Sequence, residues 1–216
     1  MLNNIAIFGG TFNPVHNGHI AISKLLISKQ LVDEVWIMPS YVSPHKKKDI
    51  MGTYDARIEM LKIAFSDEKA ISISMFEKEY CIQNKIEKSY TSIILKGFKE
   101  QNKNFNFKFV LGFDSAKCIK KWYDSEYLIK NYEFIVFDRN DEFLKTILEK
   151  KEYLNNEIGF KYTYIEEKIP DISSTELKVL LNDVNKNKDK ILEYIPKKVY
   201  DYILNNNLYK YENNRN

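Results

Sequence analysis

Asn4-Ile5-Ala6-Ile7-Phe8-Gly9-Gly10-Thr11-Phe12-Asn13-Pro14-Val15-His16-Asn17-Gly18-His19 runs from an apolar strand through a glycine turn into a helix start. The apolar run at residues 4–8 has strand length and β-branched content. Two glycines follow at once, which lets backbone N–H groups approach a ligand closely. The helix expected over 18–30 then opens with its positive dipole end toward that turn. His16 and His19, three residues apart, fall on one side of its first turn, where both rings could donate to phosphate oxygens.

The same alternation continues outward. Residues 33–38 (DEVWIM), 70–75 (AISISM), 107–111 (FKFVL), 133–137 (EFIVF) and 162–165 (YTYI) read as further strands. Helix-length stretches lie between them at 54–65, 90–99, 123–130 and 141–150, the last with Asp141 as its N-cap. Residues 78–88 and 182–190 are polar and read as loops. From Ser173 on the chain reads as helical, and Pro196 starts a last amphipathic segment to about Leu208. Strands alternating with helices predict an α/β fold: a doubly wound, Rossmann-like parallel sheet with helices on both faces and a helical tail. No repeat or Pro/Ser-rich linker divides the chain, so one domain over 1–216 is expected, with a helical subregion at about 172–210.

Composition narrows the function classes. Of 216 residues, 44% are hydrophobic and 29% charged, which suits a globular chain with a real core. Net charge is only +3, from 33 basic and 30 acidic residues, so no concentrated basic face for nucleic acid is expected. No apolar run is long enough to span a bilayer. There is no signal-like leader, and Cys81 and Cys118 are too few for a disulfide scaffold and lack metal spacing. A reducing, cytoplasmic setting is therefore expected. Arginine is rare (Arg57, Arg139 and Arg215), which draws attention to each one, because its rigid fork does what lysine cannot.

All three histidines, His16, His19 and His45, fall in the first fifth of the chain. His16-Asn17-Gly18-His19 resembles the His-x-Gly-His signature of the nucleotidyltransferase superfamily. The chain is similar in particular to nicotinate/nicotinamide mononucleotide adenylyltransferases of the bacterial nicotinate branch. The resemblance runs from Ile5 to about Lys178. After the first match come Met38-Pro39 with Pro44-His45-Lys46, Ser89-Tyr90-Thr91, Gly112-Phe113-Asp114, Lys121-Trp122-Tyr123, Phe137-Asp138-Arg139, and Ile172-Ser173-Ser174-Thr175. Each lies past a strand's carboxyl end or at a helix start, where open α/β sheets bind ligands. By residue type alone Asp114 could cap a helix, Trp122 could be core, Lys46 could belong to a solvated Lys46-Lys47-Lys48 loop, and Ser173-Ser174-Thr175 could be a plain N-cap.

The resemblance implies transfer of the adenylyl group of ATP to a pyridine mononucleotide in NAD biosynthesis, with release of the dinucleotide and pyrophosphate. It implies His16, His19 and Lys46 as catalytic residues. ATP is expected at Gly9, Gly10, Thr11, Phe12, Gly18, Gly112, Asp114, Arg139, Ser173, Ser174 and Thr175. The pyridine mononucleotide is expected at Asn13, Ser40, Tyr90, Thr91, Trp122 and Tyr123. Mg2+ is expected with ATP, on phosphate oxygens and water, with no metal cage of protein side chains. N–H donors at a helix start suit a carboxylate better than an amide, which favours nicotinate. Neither nucleic acid nor membrane is expected as a partner, and a homo-oligomer is allowed for. Two departures stand out: Lys178 replaces the arginine that usually ends the last motif, and 77–88 is longer and more charged than in bacterial relatives. Transfer to another acceptor such as phosphopantetheine, or a non-catalytic nucleotide sensor, are the alternatives.

Overall fold

The structure, a computed structural model, describes residues 2–42, 52–138 and 146–209. Its centre is a six-stranded sheet in the order β3-β2-β1-β4-β5-β6, parallel throughout. The strands are β1 (Asn3–Gly10), β2 (Glu34–Pro39), β3 (Ile71–Ile73), β4 (Phe105–Gly112), β5 (Glu133–Phe137) and β6 (Tyr162–Ile165). The sequence expectation of a doubly wound α/β fold holds. The glycine pair belongs to β1 itself, where Gly9 and Gly10 lie opposite Met38 and Pro39.

Strand side chains alternate between two cores. Ala6, Phe8, Val35, Ile37, Val110 and Ile135 face one layer, with α1 (Asn17–Ser28), α2 (Tyr54–Ala64), α8 (Ser174–Leu181), α9 (Val184–Tyr194) and α10 (Lys197–Asn205). Ile5, Ile7, Phe107, Phe109, Phe134 and Val136 face the other, with α3 (Phe76–Gln83), α4 (Thr91–Gln101), α5 (Phe113–Lys117) and α6 (Ser125–Asn131). A strand covered on both faces must be apolar at every position, which is why NIAIF reads as a continuous run rather than an alternation. Between β5 and β6, α7 (Ile147–Tyr153) is opened by a Thr146/Glu149 capping box and runs into a π turn, Leu154–Ile158.

Three expectations change. Residues 78–88 were expected as a polar loop, yet Phe76–Gln83 is α3, because Phe76 and Tyr80 stack at 5.1 Å and Cys81 is buried in the second core. Val184–Tyr194 is likewise helical rather than loop: Asp183 caps it and Ile191 anchors it. The helix expected from 123 starts only at Ser125, since Asp124 takes a left-handed φ of 50° and leaves Trp122 and Tyr123 outside it. Asp141 and the first half of the expected 141–150 helix, residues 141–145, lie outside the described residues, and the second half falls in α7. No helix among the described residues is long and apolar enough to cross a membrane.

The helical tail is part of the core. On α10, Val199 and Ile203 are both 0% exposed. Ile203→Ala should cost about 2–5 kcal/mol. Urea denaturation should show it as a lower midpoint with an unchanged slope; a cost near zero would mean that α10 merely rests on the surface.

Candidate functional site

The winding direction reverses at β1, which pairs with β2 on one side and β4 on the other. Crossover segments leaving the two strands part there, and a crevice opens beyond the carboxyl ends. A cavity of about 880 Å³ occupies it. That is near the top of the range for ligand sites, roughly 300–1,000 Å³.

One side of the cavity is the glycine turn. Gly9, Gly10 and Thr11 line it, with His19 from the first turn of α1. Phe12 holds a left-handed φ of 49° while its ring is buried against Phe8 and His19, at centroid distances of 5.5 and 4.8 Å. That ring folds back over Gly10, where a Cβ would lie 3.0 Å from it, so a larger residue there would have to displace the ring. The backbone strain at Phe12 is offset by burial of its ring.

The histidines have separate places. His19 is 7% exposed and borders the cavity, and its Nδ1 accepts the His16 backbone N–H at 3.2 Å. A neutral ring with Nδ1 as acceptor carries its proton on Nε2. His16 is 0% exposed, stacked on His19 at 3.6 Å and 30°, and lies behind the cavity wall. Gly18 lets it fit, because a Cβ there would come 3.0 Å from His16 Nδ1 and 3.2 Å from the Pro170 carbonyl.

The turn is held by groups outside it. Arg57, buried on α2, donates from Nη1 to the Thr11 carbonyl at 2.6 Å and from Nη2 to the Ser40 carbonyl at 2.9 Å. One guanidinium thus ties the exits of β1 and β2 together. Ser40 also donates its backbone N–H to the Gly10 carbonyl at 2.8 Å. Asn13 is buried, and its Oδ1 accepts from the Tyr209 hydroxyl. The Ser174 hydroxyl donates to the Pro14 carbonyl at 3.0 Å, which docks the start of α8 on the same loop. Ser173 is the N-cap of α8 in a box with Glu176.

The other side of the cavity comes from β4, α4 and α5. Gly112 and Asp114 border it where β4 passes into α5, and Asp114 is within 3.5 Å of Lys117. Tyr90 and Thr91 bring the amino end of α4 to the wall. Trp122, half-buried, and Tyr123 complete it; the Tyr123 ring lies 4.7 Å from that of Tyr90, and its carbonyl accepts from the Ser92 hydroxyl at 2.8 Å.

The structure therefore brings Gly9, Gly10, Thr11, His19, Ser40, Tyr90, Thr91, Gly112, Asp114, Trp122 and Tyr123 around one cavity. His16, Phe12, Asn13, Gly18, Ser173, Ser174 and Thr175 stand outside that wall, several of them bracing the glycine turn. Lys46 and Arg139 lie outside the described residues. Sequence reading missed Glu77 as a wall residue and Arg57 as the brace, and it gave no role to Ser89 and Lys121, which stand in its motifs and line the wall. Only the rarity of arginine had pointed to Arg57. Among the described residues, no group of three or more His, Cys, Asp or Glu side chains could hold a metal ion.

Residues 7–179 match the model of the cytidylyltransferase-like family. The "probable nicotinate-nucleotide adenylyltransferase" of Clostridium acetobutylicum is 34% identical over 204 residues, covering 94% of this chain and 98% of that one. That of Clostridium botulinum strain Loch Maree is 35% identical, covering 96% and 99%. The chain belongs to the cytidylyltransferase-like family, in its nicotinate-nucleotide adenylyltransferase branch. Among solved structures, the Plasmodium falciparum nicotinic acid mononucleotide adenylyltransferase complexed with NaAD superposes with a TM-score of 0.77 at 26% identity. The alignment covers 96% of this chain and 97% of that one. The same enzyme complexed with APC gives a TM-score of 0.74.

Arg57→Lys keeps the charge, but one ammonium cannot span both carbonyls in the same geometry. The variant should lose about 1–3 kcal/mol of stability, read as a lower urea midpoint. Wild-type stability would show that the two carbonyls are held by other means.

Proposed function

We propose that this protein is an adenylyltransferase of NAD biosynthesis, joining ATP to nicotinate mononucleotide and releasing pyrophosphate. The observation that carries the reading is a single cavity with His19 and the glycine turn on one wall and the α4 amino end and Trp122 on the other. Such a space accepts a polyphosphate and an aromatic ring joined end to end. Relatives and solved structures named for this activity match almost the whole chain, which supports it.

The chemistry asks little covalently of the protein. An oxygen of the mononucleotide's 5′-phosphate attacks the α-phosphorus of ATP in line, and the bond to the pyrophosphate oxygen breaks. The attacking oxygen is already anionic, so no base need remove a proton from it. Positioning and charge stabilisation remain. Nε2–H of His19 is the donor for the transferring group, and His16 stacks behind to hold that ring. The N–H groups of the glycine turn and the start of α1 face the triphosphate, Lys46 adds charge, and Asp114 takes the ribose. Arg139 and the Ser173-Ser174-Thr175 helix start complete the ATP side. Thr91 and the α4 N–H groups face the nicotinate carboxylate while Trp122 stacks on its ring.

Magnesium enters with ATP, on phosphate oxygens and water, and draws off their charge when bound. Asp114 stays with the ribose, and the ion would be held by phosphate oxygens and water without a carboxylate of the wall. In this reading the whole chain acts as one nucleotidyltransferase domain, working on cytoplasmic substrates.

Pyrophosphate release should be fastest with nicotinate mononucleotide, slower with nicotinamide mononucleotide and absent with phosphopantetheine. Preference for the amide would overturn the carboxylate subsite, and inertness to both would overturn the acceptor. His19→Ala should lower kcat on the order of a hundredfold while circular dichroism stays native. Trp122→Ala should raise KM for the pyridine mononucleotide far more than KM for ATP; equal rises would make Trp122 a core residue.

A further inference from the structure

The stretch 77–88 begins inside α3, and its first residue brings a carboxylate to the cavity wall. Glu77 is only 7% exposed. Its Oε1 accepts the Tyr41 backbone N–H at 2.7 Å and the Ser89 hydroxyl at 2.6 Å. The Ser89 backbone N–H reaches across to the Val42 carbonyl at 2.9 Å. A single carboxylate oxygen thus joins the exit of β2 to the entry of α4. Tyr41 follows Ser40 directly, and Ser89 precedes Tyr90 and Thr91, all three lining the cavity.

Burying a carboxylate is costly, and here burial holds the Glu77 carboxyl above its ordinary range despite the bonds from Ser89 and Tyr41. Tying two loops needs no charge, since a neutral amide oxygen would accept the same bonds. Charge-assisted bonds are shorter and stiffer, which matters where a wall must be placed closely. The division of labour follows the fold: Arg57 braces β1 to β2 on the phosphate side, and Glu77 braces β2 to α4 on the other.

We infer that Glu77 is a positioning residue for the pyridine mononucleotide, setting the gap between the exit of β2 and the amino end of α4 through Tyr41 and Ser89. The inference rests on the functional reading above. It makes the start of α3 part of the acceptor subsite.

KM for nicotinate mononucleotide, KM for ATP and kcat should be measured for wild type, Glu77→Ala, Glu77→Gln and Ser89→Ala. Glu77→Ala should raise KM for the mononucleotide about tenfold or more, with KM for ATP within about threefold. Glu77→Gln keeps an acceptor oxygen and the shape, and should recover most of the loss. Ser89→Ala should move KM in the same direction by less, and decides the matter if Glu77→Ala does not fold. Equal rises in both KM values, or no rise in either, would overturn the inference while leaving the activity intact. A wild-type protein inert toward nicotinate mononucleotide would overturn the functional reading, and this inference with it.

Discussion

Parallel pairing of β1 on both of its edges is the constraint on which the rest depends. With β2 on one side and β4 on the other, the crossovers from the two strands must go to opposite faces of the sheet. The crevice at their carboxyl ends is then unavoidable. The last strand residues and the loops and helix starts beyond them line it, and both walls of the cavity begin at this point.

The turn after β1 does not hold itself in shape. Its two glycines supply the close backbone approach, but they also make it soft. Stiffness is imported: a buried Phe12 ring, an Arg57 fork across two carbonyls, the Tyr209 hydroxyl on Asn13, and Ser174 on the Pro14 carbonyl. Three of these four come from elsewhere in the chain, one from α2 and two from the carboxyl-terminal region. This gives the helical tail a physical reason to be part of the catalytic unit. It also separates His19, which borders the cavity, from His16, which packs the helix start.

The far wall follows the same logic with different chemistry. Asp124 in the left-handed region ends the preceding turn early and leaves Trp122 and Tyr123 off the helix, facing the cavity. The Ser92 hydroxyl then pins the Tyr123 carbonyl to α4. The amino end of α4, with its unsatisfied N–H groups and positive dipole end, borders the cavity beside Trp122 and Tyr123.

The sequence alone determined the order of the six strands, the two-sided apolar runs of a buried parallel sheet, and the glycine-and-histidine stretch that follows the first strand. These are local signals, carried by periodicity and by glycine, proline and histidine at short spacing. It also placed Tyr90, Thr91, Asp114 and Trp122 near strand ends and helix starts. The helicity of α3 and α9 was not legible, because each rests on one or two buried contacts that polar neighbours obscure. Nor were the roles of Arg57 and Glu77, whose partners lie 46 and 17 residues away for the arginine and 36 and 12 for the carboxylate. Only tertiary structure decided which of two neighbouring histidines faces the cavity. Helical spacing puts both rings on one side of the α1 start, and packing against Phe12 and Gly18 then leaves one at the cavity and buries the other.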